Sequence, residues 1–238
     1  MVFSLQRGNL LGDKLSVSII VPALNEAGII QNQLEYLRSL DDSAEIIVVD
    51  GGSADSTIEL ARKHAHSITA ERGRGSQMNA GARIASGDIL WFVHADCKPS
   101  KTSIHSIRKA LEDKSVVGGG FYWKLDNFPR LMKYLQSTSN LKNRLKKTLY
   151  GDMGIFVREE VFKKIGGFKN IPLMEDMDFC KRLKRQGKVV ILKDPMETSS
   201  RRWRKEGIIK VYVRNNLLKL AYRLGVSPAY LAKFYKFG

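Results

Sequence analysis

Cysteine is scarce in this chain, with only Cys97 and Cys180 among 238 residues. The pair has no metal-finger spacing and cannot build a disulfide framework, so a reducing, cytoplasmic compartment is expected. Long apolar runs are also missing. No stretch approaches the ~20 residues that a membrane-spanning helix needs. The start, Met1-Val2-Phe3-Ser4-Leu5-Gln6-Arg7-Gly8, has neither the apolar core nor the small-residue cleavage pattern of a signal peptide. The four histidines show no zinc-site spacing, and no Ser-His-Asp or Cys-His set stands out. No G-x-G-x-x-G follows the first strand-like run, which argues against a Rossmann dehydrogenase. Acids are the minority charge, 24 Asp and Glu against 40 Lys and Arg, for a net charge of +16. The imbalance is local, since residues 181–238 hold 16 Lys and Arg against 3 Asp and Glu. Such a block suits nucleic acid, an anionic membrane or a phosphorylated substrate, or is simply a solvated basic face.

With 43% hydrophobic residues, the chain can form one α/β domain of ordinary size. Its centre is Ile89-Leu90-Trp91-Phe92-Val93, an apolar run ending in His94-Ala95-Asp96-Cys97. It reads as a strand buried on both faces, with its polar tip at the carboxyl end, where open α/β sheets bind ligands. Before it, Val17–Pro22 and Glu45–Asp50 read as strands and the leucines from Ile30 to Leu40 as a helix. A second helix, capped by Ser53 or Asp55, runs to about Ala65. The resulting β-α-β-α-β-α-β series predicts a doubly wound, mostly parallel sheet with helices on both faces. After it come a helix from Lys101, a glycine-rich strand through Trp123, and a basic helix from Pro129 to Lys147. Further strands are expected at 151–157 and 189–192, and a helix opens at Met174-Glu175-Asp176. Residues 205–222 form a broad amphipathic helix, expected to pack its apolar side on the core, with a short helix after Ser227-Pro228. The predicted organisation is an arm (1–15), a main α/β domain (16–204, in halves 16–97 and 98–204) and a basic helical tail (205–238).

Acids recur where ligands would sit. Asp50 can accept hydrogen bonds from a ribose or base, Asp96 can bind a divalent cation bridging two phosphates, and the Glu175-Asp176 pair can take a proton from an attacking hydroxyl. Arg72 to Gly81 reads as a loop entering a helix whose free N–H groups and arginines suit an anion or a nucleotide, or as an ordinary helix start. Arg201, Arg202 and Arg204 surround Trp203, a grouping suited to phosphate oxygens and ring stacking.

The segments 17–26, 45–57, His94-Ala95-Asp96, Gly151-Asp152-Met153-Gly154, Gly166-Gly167-Phe168 and Met174-Glu175-Asp176, in this order and spacing, resemble the family 2 glycosyltransferases of GT-A fold. Arg-Gly-Arg-x-x-Gln-Met-Asn-Ala-Gly at 72–81 and Ser-x-Arg-Arg-Trp at 199–203 further resemble a bacterial subgroup named for its association with radical-SAM and seleno-domain proteins. The resemblance implies an inverting, metal-dependent transfer of one sugar from a nucleoside diphosphate sugar, a UDP-sugar, to a hydroxyl of a lipid or small molecule. It implies Pro22, Ala23, Leu24, Glu26, Asp50, Gly51, Arg74, Gln77, Asn79, His94 and Ala95 around the nucleotide. Asp96 would hold Mg²⁺ or Mn²⁺, Asp176 would act as base beside Glu175, Arg201, Arg202 and Trp203 would meet the diphosphate, and Trp123, Gly151 and Asp152 would lie near sugar or acceptor. Two departures stand out: His94 replaces the first acid of the D-x-D element, and Ser199 replaces the glutamine of processive members, which argues against polymer synthesis. The partners implied are the donor and its acceptor, with peripheral contact to an anionic membrane as a further expectation and nucleic acid disfavoured. A nucleotidyltransferase, or a non-enzymatic protein that binds nucleic acid or membrane, is the alternative.

Overall fold

A computed structural model describes residues 14–126 and 130–235, side chains of 130–132 and 202 excepted. In chain order its elements are β1 (Val17–Ala23), α1 (Ile30–Arg38), β2 (Glu45–Asp50), α2 (Thr57–Arg62), β3 (His66–Thr69), α3 (Arg74–Ile84), β4 (Ile89–Phe92), β5 (Cys97–Pro99) and α4 (Ser103–Leu111). There follow β6 (Val116–Leu125), α5 (Arg130–Lys146), a 3-10 turn (Gly151–Met153), β7 (Phe156–Arg158), α6 (Glu159–Lys164), α7 (Glu175–Leu183), β8 (Lys188–Thr198), α8 (Arg201–Glu206), α9 (Ile208–Arg223) and α10 (Pro228–Ala232).

The strands form one sheet in the order β3-β2-β1-β4-β7-β6-β8-β5. Strands β1 to β4 pair in parallel, as the alternation of strand and helix predicts. Strand β7 is antiparallel to both β4 and β6, and β5 is an antiparallel edge on β8. Every residue of β1 and β4 is buried, because helices cover both faces of the central strands. One face packs Trp91, Phe121, Phe156 and Met196 into a core with α1 and α4. The other packs Phe92, Phe162, Phe168 and Phe179, with Phe168 and Phe179 stacked at 4.2 Å. Aromatic pairs of this kind contribute about 0.5–1.5 kcal/mol beyond the area they bury. This second cluster fixes α7 against the sheet and so sets where Glu175 and Asp176 stand.

Three expected elements differ. Residues 151–153 form a turn, because Gly154 takes the left-handed conformation (φ 59°) and its carbonyl accepts from the buried Trp91 indole at 3.2 Å. Strand β8 runs eleven residues, prolonged by pairing with β6. The tail helix breaks at Gly207 (φ 90°), and its apolar residues do not bury as one face: in α9 only Val211 and Leu218 are buried.

Candidate functional site

The loops after β1 and β2 are locked together. Asn25, left-handed at φ 55°, accepts from the Ala54 N–H and donates its own N–H to Ser53 Oγ, both at 2.8 Å. Glu26 N–H donates to Thr57 Oγ1 at 2.8 Å and Ala27 N–H to Asp55 at 3.2 Å. The two motifs thus hold one platform, with buried Pro22 and Ala23 ending β1, and Leu24 and Glu26 in the loop above.

Three residues expected at the nucleotide have hydrogen-bond partners within the protein. Asp50, 1% exposed, accepts from the N–H groups of Gly52 (3.0 Å) and Ser53 (2.9 Å) and from the Ser53 hydroxyl. Gln77 donates to the carbonyls of Ala23 (2.9 Å) and Val49 (2.8 Å), and its amide lies so near Gly51 that an added Cβ there would come within 3.0 Å of it. Asn79 exchanges two hydrogen bonds with the Phe168 backbone, at 2.8 and 2.9 Å. Buried polar groups need partners, and here backbone groups of the strand ends and of the loop after α6 take these side chains up.

At the tip of β4, donor atoms of His94, Asp96 and Cys97 lie within 4.8 Å of one another, and Ala95 is buried between them. Burial, and then the Arg74 guanidinium, push His94 down to about 3, so its imidazole is neutral and keeps a lone pair. Burial pushes the Cys97 thiol well up, and its sulfur faces Thr198 Oγ1 at 3.5 Å, so it packs as a neutral side chain. Gly151 passes so close to the His94 ring that an added Cβ would lie 2.9 Å from Cε1. A neutral imidazole beside a carboxylate suits a divalent cation of the Mn²⁺ type. Asp152 and Asp176 add further acids to this wall. Burial raises Asp152 to about 6, against the pull of Lys219 and with repulsion from Asp176 and Asp96. Such crowding of carboxylates is relieved by a cation, so the residues present fit one.

Asp176 opens α7. Its two oxygens accept from the Gly151 N–H at 2.8 Å and the Met177 N–H at 2.6 Å, and it lines a cleft of about 180 Å³ together with His94, Asp96 and Asp152. Met174, the residue before α7, is left-handed at φ 69°, strain that a non-glycine residue bears only where its surroundings enforce it. Glu175 is buried; burial, and then Asp176, raise it to about 7 against the opposing effect of Arg74. Arg74 reaches the same cleft from the start of α3 and hydrogen-bonds Tyr235.

The arginine segment is dispersed. Arg201 pairs with Glu26 at 3.2 Å, tying α8 to the first loop, and Arg204 bonds Ser200 Oγ at 2.9 Å and faces Asp126. Arg202 lies outside the described side chains. Trp203 stands 5.7 Å from Trp123, and the two line a larger cavity of about 510 Å³ between α5 and α9 that adjoins the cleft at Tyr150, Asp152 and Lys219.

Tyr150, Asn215, Lys219 and Tyr235 were not singled out in the sequence, yet they wall the cleft. Lys219 sits 3.8 Å over the Tyr150 ring beside Asp152. A faint signal exists: Tyr212, Asn215, Lys219 and Arg223 recur at helical spacing as a polar stripe through an apolar helix. The tail reaches the site because Leu218 and Leu231 pack on Leu173 and Met174, just before the Glu175-Asp176 pair.

Residues 18–166 match the model of glycosyl transferase family 2. Glycosyltransferase AglE of Haloferax volcanii is 28% identical over 170 residues, 65% of this chain and 56% of that protein. The chain thus spans about half the length of that relative. Among solved structures, a Pyrobaculum calidifontis mannosyltransferase in complex with GDP-Man and Mn²⁺ superimposes with a TM-score of 0.63 at 21% identity, over 78% of this chain and 57% of that one. Staphylococcus aureus TarS 1-349 in complex with UDP-GlcNAc gives 0.63 at 20% identity, over 78% and 58%. With a family match over most of its length and the GT-A sheet of these structures, the chain belongs to glycosyl transferase family 2.

Proposed function

We propose that this chain transfers a single sugar, with inversion, from a nucleoside diphosphate sugar of the UDP class to a hydroxyl acceptor. The observation that carries the reading is the Asp176 carboxylate, fixed by two backbone N–H groups on the wall of the cleft that also holds His94 and Asp96. An acceptor hydroxyl beside Asp176 gives up its proton to that carboxylate as its oxygen bonds to the anomeric carbon from the open face. The bond from that carbon to the diphosphate oxygen breaks, and the diphosphate leaves with the electron pair. Asp96 and His94 would hold a divalent cation, which when bound supplies positive charge to the diphosphate. Arg74 and Lys219 add cations to the wall of the same cleft, Lys219 beside Asp152.

A thermal-shift series with UDP, GDP, CDP and TDP, with and without Mn²⁺, tests the donor half. Binding to the native state raises stability by about 2.7 kcal/mol at a hundredfold excess over Kd. One diphosphate, UDP, is expected to raise the melting temperature, more so with Mn²⁺, and the Mn²⁺ increment should vanish in Asp96→Ala. Asp176→Asn should keep that shift while turnover falls by about 10²–10⁴-fold. The absence of any diphosphate shift, or near-normal turnover in Asp176→Asn, overturns the reading.

A further inference from the structure

The larger cavity lies between two helices that carry unusual surfaces. On α9 and its C-terminal cap, Ile209, Val213, Leu217, Leu220 and Leu224 are exposed, Ile209 and Leu224 by 76% and 77%. Their spacing of four, four, three and four residues makes one stripe. At about 100° per residue this stripe borders the cavity-lining face of Tyr212, Lys219 and Arg223, and Leu220 belongs to both. On α5, Tyr134, Leu141 and Leu145 are exposed in the same manner, beside the cavity residues Thr138 and Lys142. Exposed Tyr230 and Phe234 extend the surface at α10. Isolated surface leucines need no explanation, but two stripes flanking one cavity mouth do.

Charge identifies the partner. Neither α5 nor α9 contains an acidic residue, while α5 carries five Lys and Arg and α9 four. Lys133, Arg144, Lys146 and Lys210 are all exposed beside the stripes. No helix among the described residues is long and apolar enough to cross a membrane. Apolar stripes edged by cations, without acids and without a span, are what an interfacial helix presents to anionic lipid. We propose that the α5–α9 face docks on an anionic bilayer, with the mouth of the cavity turned toward the headgroups. Granting the transferase reading, on which this consequence rests, the acceptor enters the cavity from the bilayer, its negative charge met by Lys142, Lys219 and Arg223.

Flotation of the full chain with vesicles of phosphatidylcholine alone, and with about a third phosphatidylglycerol, tests the docking. Binding is expected to the anionic vesicles at physiological salt, with about tenfold less to the neutral ones. The variants Leu217→Glu/Leu224→Glu and Leu141→Glu/Leu145→Glu should each lose about tenfold or more. Neither pair lines the cavity, so both variants should keep the wild-type melting temperature and its UDP and Mn²⁺ shift in vesicle-free buffer. Failure of docking with the shift intact therefore leaves the transferase reading standing. Wild-type protein that does not float, that floats equally on neutral lipid, or whose binding survives both double variants overturns the proposal. So does a stable dimer in light scattering that the same variants dissociate, since a second copy would then cover the face.

Discussion

Glu175 and Asp176 both border the cleft, but Glu175 is only 6% exposed while Asp176 is half-buried. Adjacent helical residues point about 100° apart, which is how one acidic pair divides into a buried carboxyl and an accessible one. Burial, then Asp176, hold Glu175 at about 7 against an ordinary value near 4.5. Between those pH values the native chain keeps a proton that the unfolded chain releases. Its contribution to stability is therefore complete below about pH 4.5 and is lost as pH rises through 7. Glu175→Gln has no charge to bury, so its melting temperature should gain on wild type between pH 5 and pH 8. A difference that stays constant over that range would show that the carboxyl is already ionised in the native state.

At the scale of elements, hydrogen bonds from side chain to backbone join what the sequence separates. The amide of Asn79 on α3 pairs with both backbone groups of Phe168, eighty-nine residues away, and so anchors the loop whose aromatic ring stacks under α7. Asn79→Ala removes two hydrogen bonds and strands the Phe168 backbone, at a cost of about 2 kcal/mol. Urea unfolding should show a lower midpoint with an unchanged slope, and the UDP shift should persist. Loss of that shift in a folded variant would return Asn79 to the nucleotide. The strand-helix alternation through Asp96 was legible because hydrophobic period and turn residues are local properties. So was the placing of His94, Asp96 and Asp176 along one cleft, since strand ends and helix starts are where such sheets expose side chains. The inward turn of Asp50, Gln77 and Asn79 was not legible, because a polar side chain reads the same whether its partner is a ligand or a distant carbonyl. Nor was the outward turn of the α9 leucines, since periodicity specifies a stripe but not what covers it.

Across the whole molecule, acid and base are segregated along the chain, and at the end of the sheet opposite the cleft a half-hidden ion pair ties α4 to the segments before β1 and β2. Arg108 on α4 donates to Asp41, before β2, at 2.6 Å and to the Leu15 carbonyl, before β1, at 2.8 Å. The two side chains are 10% and 15% exposed. Burial alone would raise Asp41, but hydrogen bonds from Ser43 and Arg108 outweigh it and bring the carboxyl down to about 2. A depressed carboxyl contributes stability above its unfolded value, near 3.8, and loses it as pH falls through about 2. Arg108→Met leaves Asp41 without its cation and should cost about 3 kcal/mol at pH 7. Acid weakens the wild type on a second count: as the 24 acids protonate, the net charge climbs from +16 toward that of 40 Lys and Arg with 4 His. That repulsion acts on wild type and variant almost equally, so it cancels in their difference and leaves the pair's own contribution. The gap between their urea midpoints should hold from pH 7 to 5 and narrow below pH 4. A gap that persists undiminished at pH 3 would assign Arg108 to packing and to the Leu15 carbonyl rather than to charge.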